Sequence, residues 1–350
     1  MQVADGFISI FVKIQDMMRR WYLLSCVWIL FACGEKKFIP DVTGIEAPLS
    51  LQRFEQSFFT IDTLQLEESL MELTNEYRGF PQDFLFNIMG TRTDAVRQDI
   101  PAFIRSYQPL FKEIQPQFKD MSRELNAIQQ GLQFVKYYFP EYKLPEKVIT
   151  FIGPLNSYGS IITPDGLGVG LQLYLGSTHP IYQSEEGQQM YPNYLSRRFD
   201  RAYIPVNAIK NIIDDLYPPN YADKPLVEQM IEAGKRLYLL DHFLPETADT
   251  LKTGYTAKQL EGCLENEKNI WSFFIQNNLL YIIDPEMVRD YMIDAPNTPT
   301  LGEASPGFIG QFVGWQIVKK WMSKQKDPQN LMRLMDTPAK KIFEEAKYKP

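Results

Sequence analysis

The run KVITFIG at residues 147–153 interrupts a chain whose apolar residues otherwise recur in threes and fours. Its β-branched residues favour extended backbone, where a branched Cβ packs well on a pleated surface. Residues 159–162 and 168–175 follow in the same character. Between them lies Thr163-Pro164-Asp165-Gly166, a turn in which glycine supplies positive φ. Three strands in succession predict a small antiparallel sheet over about 147–175. Amphipathic helices are predicted on both sides of it. Before the sheet they begin near Leu51 and continue over 64–77, 83–89, 93–106, 108–118 and 121–139, where Pro140 stops the last. After it they run over 205–216, 225–241, 256–263, 265–274, 284–291, 309–325 and 330–346. Helices, a small sheet, then helices make an α+β fold: a mostly helical single domain over 49–350.

The N-terminus reads as an export signal. Met17-Met18-Arg19-Arg20 is a basic stretch, and 21–32 (WYLLSCVWILFA) is an apolar run of about a dozen residues, too short to span a bilayer comfortably. Residues 1–32 are expected to be a signal peptide, with 1–16 an upstream start extension. Leu30-Phe31-Ala32-Cys33-Gly34 has the look of a bacterial lipobox, which makes Cys33 the lipidated first mature residue. A short anchor, or a plain signal with a bystander cysteine, are the alternatives. Residues 33–48 then form a proline-containing tether. Several acyl chains, at roughly 0.8 kcal/mol per buried methylene, would hold such a chain to a membrane. Of the three cysteines, Cys26 leaves with the signal and Cys33 carries lipid, so Cys263 stands alone and no disulfide is expected.

Composition excludes several classes. With 45% hydrophobic and 23% charged residues the chain is globular. Its net charge of -7, without a basic stripe, argues against nucleic acid. The two histidines, His179 and His242, lie far apart and outside any ligand spacing, so no metal and no cofactor is expected. Asp214-Asp215 and Glu185-Glu186 read as solvated surface. GLGVG at 166–170 is half a dinucleotide fingerprint but lies between strands, and reads as turn glycine. Arg197 and Arg198 beside Tyr194 form a polar-aromatic patch that either meets a partner or fixes a loop. Gly310 and Gly314, four apart on one helix face, imply close packing against another element.

The segment 228–241 (EQMIEAGKRLYLLD) draws the most attention. Met230, Ala233, Leu237 and Leu240 form an apolar stripe, and Glu232 lies three and four residues before Lys235 and Arg236, close enough to pair with either. A zinc peptidase sets His-Glu-x-x-His on such a helix. Here the corresponding positions hold Ile231, Glu232 and Lys235.

KFIPDV, RFEQSFF, QLYLGSTHPIY, GKRLYLLD, ENEKNIW and PGFIGQFVGWQIV together resemble the gliding motility lipoprotein GldB family of the Bacteroidetes, from about Arg19 to Pro350. The resemblance implies a membrane-anchored envelope lipoprotein facing the periplasm, at the outer membrane. Its partners would be the gliding machinery and the secretion machinery linked to it, and the family implies no catalytic activity. Chains of this family are also similar to predicted zinc peptidases, which implies a zincin-like arrangement in which Glu267 would be the third ligand. With Ile231 and Lys235 where histidines would stand, the metal motif is degenerate; the alternatives are a divergent periplasmic hydrolase using Glu232, or a binder of a small ligand in the cleft between the sheet and helix 225–241. Lys235 is then expected to take the place of the metal's charge, paired with Glu232 or Glu267.

Overall fold

The structure, a computed structural model, describes residues 38–220 and 223–350. The signal segment, Cys33 and the start of the tether lie outside the described residues. Val42 to Pro350 form one compact unit.

The sheet is mixed, not an antiparallel meander. Four strands lie in the order β1-β2-β4-β3: β1 (Ser50–Arg53), β2 (Lys147–Phe151), β3 (Ser160–Thr163) and β4 (Gly166–Gly170). β1 pairs parallel with β2, β2 parallel with β4, and only β3 and β4 are antiparallel. The segment near Leu51, expected to be helical, is therefore an edge strand. Four residues are too few to show a period-2 signature, and the helical pattern of the following Phe54–Phe58 masks them. Parallel pairing of β1 with β2 needs a long crossover, and the helices between them supply it.

GLGVG is not a turn. It is β4, an interior strand buried at every residue. A Cβ at Gly168 would come within 2.8 Å of Ile161 Cγ2 and 3.2 Å of Phe151 Cε1, so only glycine leaves room for those neighbours. The expected strand beyond Gly170 turns instead into a 3₁₀ turn, Leu171–Leu173. The buried Gln172 amide there accepts from Gly153 N at 3.0 Å and donates to Tyr158 O at 3.1 Å, tying together the loops at this end of the sheet. Phe54, Phe58, Phe80 and Phe84 pack edge-on and stacked beside Phe151 of β2.

Helices of eight residues or more are numbered in chain order. α1 (Leu66–Tyr77), α2 (Val96–Gln117) and α3 (Ser122–Tyr138) precede β2. α2 is one continuous helix where a break near Gln108-Pro109 was expected. Pro109 removes the bond to Arg105 O, but both residues are exposed and water can satisfy that carbonyl. After the sheet come α4 (Tyr203–Leu216), α5 (Leu226–Phe243), α6 (Ala257–Glu265), α7 (Glu267–Gln276), α8 (Pro285–Met292), α9 (Ile309–Met322) and α10 (Ala339–Ala346). The predicted helix 330–346 is two, because Thr337-Pro338 separates Leu331–Asp336 from α10. Thr256, the first residue of the expected helix 256–263, caps α6 in a reciprocal capping box with Gln259. No described helix is long and apolar enough to cross a membrane.

α5 is the centre of this half. It packs most extensively against α9 and also touches α3, α4 and α10. Its expected apolar stripe is too narrow a description: Ile231, Lys235, Asp241 and His242 are buried along with the stripe. At the α5–α9 crossing the backbones meet through Gly234 and Gly314, which bears out the close packing expected of Gly314. Gly310 lies against Met292 and Tyr291 of α8 as well as Met230 of α5.

Candidate functional site

Ile231, Glu232 and Lys235 sit on the buried helix α5, so their surroundings are the protein interior. Ile231 is 0% exposed and can donate nothing to a metal. Lys235 is 1% exposed, and its ammonium is bonded on three sides. It donates to Glu232 Oε1 at 3.1 Å, to Thr337 O at 2.7 Å and to Met335 O at 3.3 Å. Thr337 closes the helix Leu331–Asp336, so a cation here also satisfies carbonyls at a helix C-terminus. Burial holds the Lys235 ammonium below the ordinary lysine pKa, outweighing the Glu232 carboxylate beside it. Of the two carboxylates expected to pair with Lys235, Glu232 does. Glu267, at the start of α7, instead accepts from Tyr348 Oη at 2.5 Å. Burial and this bond together push the Tyr348 phenol well above its usual pKa.

These residues do not fit a zinc ion. The two positions where imidazoles would stand hold an alkyl group and a committed ammonium, and Glu267 faces the C-terminal tyrosine. Among the described residues no three His, Cys, Asp or Glu side chains come together as a metal site. The two histidines are tied up separately. His179 Nδ1 accepts from Ile181 N at 3.2 Å, which caps a short helix, and its Nε2 meets Glu113 Oε1 at 3.0 Å. His242 Nδ1 bonds Tyr238 O at 2.8 Å, with its ring against Tyr138 and Tyr238. Burial raises the Cys263 thiol to about 12, so it stays protonated and a poor nucleophile.

Arg197 and Arg198 act as clamps between loops. Arg197 donates from Nε to Tyr194 O at 3.1 Å, from one terminal nitrogen to Gln259 Oε1 at 3.1 Å and from the other to Gly254 O at 2.8 Å. Arg198 grips Asp294 with both terminal nitrogens, at 3.2 and 2.9 Å. The structure thus joins Arg197, Arg198 and Tyr194 to three separate segments, with the Tyr194 contribution made by its backbone carbonyl.

Two charged groups carry no sequence signal. Asp241, one turn beyond Leu237 on α5, accepts from Lys252 Nζ at 3.0 Å and from Trp315 Nε1 at 2.8 Å, all three buried. Nothing local marks Lys252 as its partner, because the pair forms only when the 249–254 turn folds back over α5. Lys210 on α4 is half-buried. Burial, then the charge of Arg198, pulls its pKa down to about 8.

Clefts open on the surface of the described residues. One of about 730 Å³ lies beside the β3–β4 turn and is lined by Arg78, Lys143, Lys147, Glu141, Asp165 and Asp215 among others. One of about 860 Å³ lies where α3 meets α4, around Arg201, Asp120 and Glu246. A third, about 390 Å³, is formed by Glu67, Glu68 and Arg97 with the turn before α1. The fourth, about 350 Å³, lies between α6, α7 and the loop 301–306. None of these clefts is lined by residues of both the sheet and α5.

The family described as gliding motility protein GldB matches residues 35–350 of the chain. The chain belongs to this GldB family. The match covers every element of the fold described above, from β1 through α10. Members are gliding motility lipoproteins of the cell envelope. No curated protein and no solved structure matches the chain.

Proposed function

We propose that this GldB-family chain supports gliding motility, and the secretion machinery linked to it, through protein–protein contacts and without catalysis. It is held at the outer membrane by lipid on Cys33 and faces the periplasm. The observation that carries this reading is the commitment of Lys235. On the helix where a peptidase would set its chemistry, the Lys235 ammonium is spent on Glu232 and on two backbone carbonyls. An active site keeps its charged groups free to meet substrate, whereas these hold the helix Leu331–Asp336 against α5. The remaining polar clusters, at Arg197, Arg198 and Asp241, likewise join one segment of the fold to another. A protein built this way offers a stiff surface to partners.

Affinity purification from host membranes, with the native chain and with Cys33→Ala, tests the reading. The native chain is expected to bring down envelope proteins and to fractionate with membranes, and the variant to lose the membrane association. A Glu232→Gln variant of unchanged thermal stability is expected to restore gliding to cells lacking the gene. Stoichiometric zinc in the purified protein, or loss of gliding with Glu232→Gln at full stability, would overturn it.

A further inference from the structure

The cleft between α6, α7 and the loop 301–306 differs from the other three in having no charged residue in its lining. In a chain of net charge -7, with 23% charged residues, an uncharged opening selects against charged ligands. Its floor is apolar, with Cys263 and Ile270 buried and Ile309 closing it from the start of α9. Its rim carries the side-chain amides of Gln259, Asn266 and Asn269.

The hydrogen bonds these amides already make define what is left over. Gln259 Oε1 accepts from Thr256 N at 3.0 Å and from Arg197 at 3.1 Å, which fixes the amide's orientation and leaves its Nε2 donor without a partner among the described residues. Asn269 Nδ2 donates to Asn266 Oδ1 at 3.3 Å, and Asn266 Nδ2 to Gly262 O at 3.0 Å, which leaves the Asn269 Oδ1 acceptor without a donor among the described residues. One oriented donor and one acceptor on the rim of an apolar pit match the C=O and N–H of a peptide backbone whose side chain points down. At about 350 Å³ the cleft lies at the small end of the ~300–1,000 Å³ typical of binding clefts, so it takes a short length of chain and not a folded element.

We infer that this cleft binds a short, extended, uncharged peptide segment of a partner protein, seating one large apolar side chain on Cys263 and Ile309 and pairing the segment's backbone with Gln259 and Asn269. Arg197 is a positioning residue for Gln259. The inference rests on the proposed function, because it names how such a partner would be held.

Gly262 provides a clean test, since nothing lies within 4 Å of a Cβ built there and a side chain added to it enters the cleft. A phage-displayed library of random dodecapeptides is selected on the full chain, and the enriched peptides are measured on Gly262→Trp and on Ala304→Trp. Ala304→Trp blocks the cleft from another wall, on an exposed loop outside the core. Enriched peptides are expected to be neutral with a large apolar residue, and to bind each folded variant at least about tenfold more weakly, or about 1.4 kcal/mol. No enrichment, enrichment of strongly charged peptides, or equal binding to either folded variant would overturn the inference. The membrane purification distinguishes the two readings. If it still recovers partners, only the peptide cleft falls. If it recovers none, the proposed function falls as well.

Discussion

Gly234 and Gly314 bring the backbones of α5 and α9 into direct contact: a Cβ on Gly234 would overlap the Gly314 carbonyl, and one on Gly314 would overlap the Met230 carbonyl. Exposed Gly→Ala changes in helices ordinarily stabilise, by about 1 kcal/mol. Here the sign is expected to reverse. Gly314→Ala and Gly234→Ala each force the two most extensively packed helices apart, at a cost of about 3 kcal/mol or more. Urea unfolding monitored by tryptophan fluorescence measures it, because Trp315 lies at the crossing. A neutral or stabilising Gly314→Ala would mean that the helices do not approach this closely.

Lys235 is expected to be the most costly single charge to delete on α5. Lys235→Ala leaves the Glu232 carboxylate and the Met335 and Thr337 carbonyls without their donor, a loss of about 3–5 kcal/mol. The double change Lys235→Met with Glu232→Gln removes both charges and keeps the volume, and is expected to recover more than half of that loss. Chemical denaturation of the two single variants and the double variant gives the coupling energy directly. A coupling near zero would count against a working Glu232–Lys235 pair.

Lys210 gives the protein a pH-dependent weakness. Its folded pKa, about 8, lies below the ordinary lysine value of 10.5, so the unfolded chain binds the proton more tightly. The penalty is full below about pH 8 and fades as pH rises toward 10.5, where both states lose the proton. Arg198 adds to it, while Asp294 and Asp214 oppose it. Lys210→Met is therefore expected to stabilise the fold by about 1–2 kcal/mol at pH 7, with the gain shrinking toward pH 10.5. Melting temperatures of parent and variant across that range decide it. A gain independent of pH would assign the effect to packing.

The sheet shows why some of the fold escaped a reading of the sequence. KVITFIG is legible because five consecutive residues pack both faces of an interior strand. Ser50–Arg53 is not, since its strand character comes from pairing with β2, 97 residues away in the register Ser50↔Lys147. GLGVG misled for a related reason. Its glycines suggest a turn, but they are there because Ile161, Phe151 and Tyr158 already occupy the space where side chains would go. The Arg197–Arg198 pair stood out as a patch, yet whether it faces a partner or the chain itself depends on where Gly254, Gln259 and Asp294 arrive.

The chain alone determined the α+β class, most helix positions, the cap at Thr256, and the family, because each follows from local spacing or from motifs that stand in one stretch. It also showed isoleucine at 231 and lysine at 235, side chains that cannot serve as imidazole ligands whatever the fold. Only the tertiary structure decided what Lys235 does instead. Its carboxylate partner is three residues away, but its two carbonyl partners are 100 and 102 residues away. Likewise Glu267 turns to Tyr348, and Asp241 finds Lys252 and Trp315. A buried charge is satisfied by whatever donors and acceptors the packing delivers, and long-range packing leaves no period in the sequence to read.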